Sequence, residues 1–364
     1  MPEESPSRPE WTPPDAGPEF ASRVLPGVAP SATPPVPPAA PRRRELSVDE
    51  LANGVLAGDR TLLARAITLI ESNAAHHRNA ARELLQRVLP HSGRSIRIGI
   101  TGIPGAGKST FIEAFGLQVC GLGHKVAVLA VDPSSTLTGG SVLGDKTRME
   151  QLSRHPAAFI RPSPTGGALG GVARKSRETL LVCEAAGFDV ILVETVGVGQ
   201  SEVTVRSMVD CFLLLAITGA GDELQGLKRG IMELADAVLI NKADGDNGPR
   251  AEATKRQYDL ALHYLHPATD GWKTRAHTCS ALTGRGVSEI WTMIEKFRRE
   301  TTSSGVFDMR RHRQAIEWMN ALLEEALRAR FFGDPAMAEQ RSRLEKEVLA
   351  GRLTAAAAVE ALLA

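Results

Sequence analysis

The run Gly102-Ile103-Pro104-Gly105-Ala106-Gly107-Lys108-Ser109-Thr110 constrains this chain more than any other stretch, because it fits the phosphate-loop pattern G-x-x-x-x-G-K-[ST] at every fixed position. Residues 96–101 before it are apolar and β-branched, as a buried parallel strand requires, and residues 111–122 after it carry helical spacing. Gly102, Gly105, Ala106 and Gly107 let the backbone wrap a phosphate, so that several N–H groups and the helix N-terminus point at it. Lys108 adds a positive charge, Ser109 a hydroxyl for Mg²⁺, and Thr110 extends the phosphate-binding turn. A triphosphate-binding α/β sheet is the expectation.

The rest of the chain supplies such a sheet. Residues 1–44 hold 13 of the 22 prolines and little apolar periodicity, which predicts a disordered leader. From residue 45 to 93 the pattern is helical: Ser47-Val48-Asp49-Glu50 is a capping box, Asp59 caps a second helix, and Pro90 stops a third. Leu62, Leu63, Ala66, Ile67, Leu69 and Ile70 make a broad apolar face that the adjoining nucleotide-binding domain is expected to cover. Within residues 94–304, further strands are predicted at 125–131, 189–193, 211–217, 237–240 and 275–279, alternating with helical stretches. That alternation predicts a mostly parallel sheet with helices on both faces. Residues 305–364 read as a helical arm, on which Ile316, Met319, Leu322, Leu323 and Leu327 form one apolar stripe that must be buried against another domain or subunit.

Several polar signals fall just after predicted strands, at the edge where open α/β sheets bind ligands. Asn241-Lys242-Ala243-Asp244 has the N-K-x-D form, in which Asp244 accepts two hydrogen bonds from the guanine N1–H and 2-amino group. Adenine offers neither donor and would leave a buried carboxylate unpaired. Lys242 packs its stem along the base in this reading, and Ser280-Ala281-Leu282 presents a backbone N–H to guanine O6. Ser109 with Asp132, Asp145 and Glu194 supplies candidate oxygens for Mg²⁺, directly or through water. Glu194 opens an E-x-x-G element whose Gly197 is free to aim its N–H at a γ-phosphate. Val198 stands where many GTPases carry a water-orienting glutamine, so intrinsic hydrolysis is expected to be slow. Gln200, Glu202 and Lys228 are alternatives for positioning the water, and spacing does not choose among them.

A formal net charge of +1 gives no electrostatic case for nucleic acid or a membrane surface as partner. No apolar run reaches the roughly 18 residues of a membrane span. Cys120, Cys183, Cys211 and Cys279 are scattered, without a C-x-x-C pair, and read as free thiols of a reducing cytoplasm.

The Gly102 loop, Asp132-Pro133-Ser134-Ser135, residues 139–149, 194–202 and 221–230, and Asn241 to Asp244 together closely resemble the MeaB/ArgK-type G-protein chaperones of adenosylcobalamin-dependent acyl-CoA mutases. The likeness runs from residue 45 onward and leaves out the Pro-rich leader. It implies a homodimeric GTPase of the dimerising SIMIBI/G3E P-loop class, with residues 305–364 as the dimerisation arm. The expected ligands are GTP or GDP with Mg²⁺. The partner it implies is a B12-dependent acyl-CoA mutase, with an adenosyltransferase as a further candidate, and GTP turnover gates cofactor delivery. By matching motif, residues 132–145 would be switch I and 194–202, including Gln200 and Glu202, switch II. Residues 219–230, with Asp222, Glu223, Gln225 and Lys228, would be a third switch that responds to the partner. Lys108, Glu194, Gly197 and Lys228 are the residues expected to carry hydrolysis. The chain lacks a D-x-H-x-x-G cobalamin signature, so no cobalamin site of its own is expected. Two other readings remain: a P-loop kinase acting on a transport-linked protein, and a metal-insertion GTPase. For the latter, His76-His77 is the one adjacent histidine pair and reads as helix surface.

Overall fold

Seven parallel strands in the order β3-β2-β4-β1-β5-β6-β7 organise the molecule. The structure, a computed structural model, describes residues 46–131, 149–162, 169–195, 201–219 and 229–363. The strands are β1 (Ile96–Gly102), β2 (Val126–Val131), β3 (Ala158–Arg161), β4 (Val190–Thr195), β5 (Cys211–Ala216), β6 (Ala237–Ile240) and β7 (Arg275–Thr278). β1 lies between β4 and β5, and the register sets Ile100 beside Glu194 and Gly102 beside Leu215. All strand C-termini therefore meet along one edge.

The continuous Val, Ile, Leu and Ala runs of β2, β4, β5 and β6 are buried along their whole length, as a parallel sheet covered on both faces demands. Phe111, Ile112 and Phe115 of helix α4 (Lys108–Gly121) close one face together with Trp291, Ile294 and Phe297. Each fully buried side chain of this kind contributes roughly 1.5–3 kcal/mol.

Six strands are expected from the sequence and seven are present among the described residues. The extra one, β3, is a four-residue edge strand bounded by Pro156 and Pro162, too short to stand out from its turn-like surroundings. Residues 248–263 also form a helix that the sequence pattern does not declare, with Pro249 in its first turn and few buried positions.

Helices α1 (Val48–Leu56), α2 (Arg60–Glu71) and α3 (His77–Val88) precede the sheet. The capping box forms: Glu50 N–H donates to Ser47 Oγ at 3.1 Å and Ser47 N–H to Glu50 Oε2 at 2.9 Å. Asp59 Oδ1 accepts from the N–H groups of Thr61 and Leu62 at 2.8 and 2.9 Å. Each cap contributes about 1 kcal/mol. At Pro90 the third helix tightens into a short 3₁₀ turn and ends. Leu63, Ala66, Ile67 and Ile70 are buried, while Leu62 and Leu69 are half-exposed, so the apolar face is narrower than expected. α2 packs on α1, α3 and the later helix α6 (Leu169–Ala185). Polar ties fix it there: Glu71 pairs with Arg161 of β3, and Lys175 Nζ donates to Asn73 Oδ1 at 2.7 Å.

The remaining helices among the described residues are α5 (Glu150–Arg154), α7 (Ser201–Arg206), α8 (Arg229–Met232), α9 (Gly248–His263), α10 (Val287–Ser303), α11 (Val306–Phe332), α12 (Pro335–Leu349) and α13 (Ala355–Leu363). α11 is anchored at its base by buried polar groups. Arg311 makes a two-pronged bond to Asp210 at 2.9 and 2.7 Å, and Gln314 Nε2 donates to Val209 O at 2.9 Å. Arg310 donates to Asp210 O and Thr269 Oγ1. Further out, Ile316, Met319, Leu323 and Leu327 are all more than half exposed on this chain.

Candidate functional site

The Gly102 loop joins β1 to α4 at the carboxyl edge of the sheet. Two of its glycines are required by space. A Cβ at Gly102, whose φ is +154°, would run into Leu215 O of β5, and one at Gly107, with φ +86°, would meet Asn241 Nδ2 at 2.8 Å. The loop is therefore pressed against both a neighbouring strand and the N-K-x-D segment. Lys108, the first residue of α4, folds its ammonium back onto the carbonyls of Gly102 and Ile103 at 2.8 and 3.3 Å. Burial pushes its pKa below the ordinary lysine value, and the nearby Glu194 and Glu202 carboxylates pull in the opposite sense.

Ser109 Oγ donates to Glu194 Oε1 at 3.2 Å. Glu194 is buried near the end of β4, and Thr195 beside it donates to Thr101 Oγ1 of β1 at 2.9 Å. A hydroxyl and a carboxylate meeting beside a phosphate loop are hard oxygen donors of the kind Mg²⁺ takes, so these two residues fit the ion. The other acids named for it, Asp132 and Asp145, lie outside the described residues. So do Gly197, Gln200, Asp222, Glu223, Gln225 and Lys228. Glu202 is described and is buried on α7. Among the described residues, no three His, Cys, Asp or Glu side chains are grouped to hold a metal. His76 and His77 stack edge-on, and His77 Nδ1 bonds Ser72 Oγ at 2.7 Å.

The N-K-x-D segment is stitched to both of its neighbours. Asn241, 1% exposed, donates from Nδ2 to Ala106 O at 2.9 Å and accepts the Ala281 N–H on Oδ1 at 3.1 Å. One amide thus holds the phosphate loop and the 280–282 loop in a fixed relation. Asp244 Oδ1 accepts from Ser280 Oγ at 2.6 Å, and Ala243 N–H donates to Cys279 O at 3.0 Å. Lys242 sits at φ +60°, a sparsely populated conformation for a residue with a side chain, held by Asn247 Nδ2 donating to its carbonyl at 2.6 Å. Leu282 is 80% exposed. Cys279 lies beside this loop, but burial pushes its thiol up to about 12, which removes it as a nucleophile.

Asn247 was not marked by the sequence motif. Besides holding Lys242, it accepts from Thr218 Oγ1 at 2.8 Å, linking the chain just before residue 219 to the N-K-x-D turn. Its position three residues after Asp244, in a short 3₁₀ turn, was the available signal.

A parallel sheet with a phosphate loop after its central strand, a Ser–Glu oxygen pair and an N-K-x-D turn fixed to that loop defines a P-loop GTPase. Comparison with known proteins narrows the class. A family model described as methylmalonyl Co-A mutase-associated GTPase MeaB matches residues 63–336, and the chain belongs to that family. It is 50% identical over 290 residues to the GTPase ArgK of Escherichia coli, covering 80% of this chain and 88% of that protein. It is 46% identical over 326 residues to the mitochondrial methylmalonic aciduria type A homolog of Mus musculus, covering 87% and 79%. The crystal structure of an LAO/AO transport system kinase superposes with a TM-score of 0.71 at 40% identity, covering 88% of this chain and 97% of that one.

Proposed function

We propose that this GTPase is a metallochaperone that uses GTP to gate delivery of adenosylcobalamin to a B12-dependent acyl-CoA mutase and protects that enzyme. The observation that carries the reading is the joining of phosphate loop and base-reading loops through Asn241, within a chain of the MeaB family. A guanine site that is already assembled favours one nucleotide and leaves the switch segments as the parts that change with hydrolysis.

In the proposed cycle Lys108 leaves the Gly102 and Ile103 carbonyls for the β- and γ-phosphates, whose negative charge compensates the ammonium better than two neutral carbonyls do. Ser109 and Glu194, with Asp132 and Asp145, would hold Mg²⁺, which would supply neutralisation of the triphosphate's charge. Asp244 reads the guanine edge, with Ser280 fixing its carboxylate and Lys242, Ala281 and Leu282 bordering the base. Gly197 is the γ-phosphate contact. Glu202, Gln200 or Lys228 orients the water, with Asp222, Glu223 and Gln225 coupling the site to the partner.

Two chains are proposed to pair through α11, since a stripe of Ile316, Met319, Leu323 and Leu327 is too large to leave in water. The four buried free thiols suit a reducing cytoplasm. Among the described residues no helix is long and apolar enough to cross a membrane. Likeness to a protein called a transport system kinase raises a second reading, in which the γ-phosphate passes to a protein. Phosphate release from GTP and ATP, with and without the mutase, separates the two. Free phosphate from GTP, raised by the mutase, supports the chaperone; transfer to a protein acceptor supports the kinase.

A further inference from the structure

A cavity of about 650 Å³ opens beside the first residue of β7, at the end of the sheet away from the Gly102 loop. That volume lies in the range of small-molecule sites, roughly 300–1,000 Å³. Met232, Leu262 and Trp272 line it and are each less than a tenth exposed, so they form an apolar floor. The floor is held in place before any ligand arrives. Trp272 Nε1 donates to Asp236 O at 2.9 Å, its ring meets Phe297 edge-on with centroids 5.1 Å apart, and Thr274 Oγ1 donates to Ala235 O at 3.0 Å.

The rim has the opposite character. Lys273, Arg275, His263 and His266 line it and are exposed. Among the described residues Asp259 is the single carboxylate in the lining, and its oxygens are engaged by Ala276 N–H at 2.8 Å and Lys255 Nζ at 3.4 Å. Two permanent cations and two imidazoles therefore face an apolar floor with little negative charge to balance them.

We propose that this cavity binds a small amphipathic anion, with its acidic head on Lys273 and Arg275 and its apolar or aromatic body on Met232, Leu262 and Trp272. The site is separate from the nucleotide. β7 enters at the cavity with Arg275 and leaves toward Ser280 and Ala281, so both sites can be filled at once.

The probe for this site is 8-anilinonaphthalene-1-sulfonate, an aromatic body with one sulfonate, titrated by fluorescence into the full chain held in saturating GDP. Saturable binding at this site is expected, and the double variant Lys273→Glu/Arg275→Glu weakens it by about tenfold or more, since both head-group contacts become repulsive. Neutral N-phenyl-1-naphthylamine, which keeps the body and lacks the head, binds about tenfold more weakly than the sulfonate for the same reason. GTP turnover of the double variant stays at the wild-type rate, because neither residue belongs to the nucleotide site. No saturable binding overturns the proposal. So does an affinity unchanged in the double variant, which locates the dye elsewhere, such as on the exposed stripe of α11.

Discussion

Replacing Asn241 with Ala tests whether its amide is a structural stitch as well as a neighbour of the base. The substitution removes the donor to Ala106 O and the acceptor for Ala281 N–H in a position 1% exposed. Each backbone group left unpaired in the interior costs about 1–3 kcal/mol, so the pair costs about 2–6 kcal/mol. Water entering the vacated space brings the loss toward the lower part of that range, about 3 kcal/mol. With a urea m-value of about 3 kcal/mol/M, the unfolding midpoint falls by about 1 M. The assay is urea unfolding of nucleotide-free protein, followed by tryptophan fluorescence and far-UV circular dichroism. Asp244→Asn is the comparison, since its side chain keeps an oxygen for Ser280 and leaves the stitch intact. A midpoint unchanged in the absence of nucleotide, with a loss only when GDP is present, would refute the stitch: Asn241 would then act on the base alone.

Lys108→Ala is expected to abolish hydrolysis and weaken nucleotide binding, measured by phosphate release and nucleotide titration; turnover like the wild type would remove the phosphate loop from the mechanism. Asp244→Asn should collapse the preference for GTP over ATP in competition binding while leaving the fold intact. Glu184 is buried against Arg97, Ser95 and Gly93 N–H; burial raises its pKa, but these bonds win and hold it below the ordinary glutamate value. Its stabilising contribution is therefore complete above the unfolded carboxylate pKa and lost as pH falls through the lower folded value. Glu184→Gln should cost about 3–5 kcal/mol at neutral pH, by stranding Arg97, and flatten that acid dependence in urea titrations run across pH. Arg311→Ala leaves the buried Asp210 carboxylate without its two-pronged partner and should cost a similar 3–5 kcal/mol, with α11 losing amide exchange protection first.

The sheet was legible because its strands are short apolar runs ending in polar signals, and a parallel arrangement follows from helices between them. β3 escaped because Ala158, Phe159, Ile160 and Arg161 sit between two prolines and pair with one neighbour, leaving too little pattern to read. The Gly102 loop and Asn241 to Asp244 could be found because phosphate and guanine impose fixed spacings on a contiguous backbone. The Asp210, Asp236, Thr269 and Arg310 network could not, since its partners lie 33 to 100 residues apart and only the folded topology brings them together, as it brings Thr218 to Asn247. For the same reason the fold gives Asn241 a second role that the motif does not declare. Its motif marks it as a base contact, and the fold also gives both ends of its amide to backbone groups.

The proposed coupling of GTP turnover to a B12-dependent mutase is tested by steady-state phosphate release from GTP, measured with and without the acyl-CoA mutase encoded nearest to this chain. A slow basal rate raised by the mutase, with a complex whose stability depends on the bound nucleotide, is the predicted result. An unchanged rate together with no nucleotide-dependent complex would contradict it.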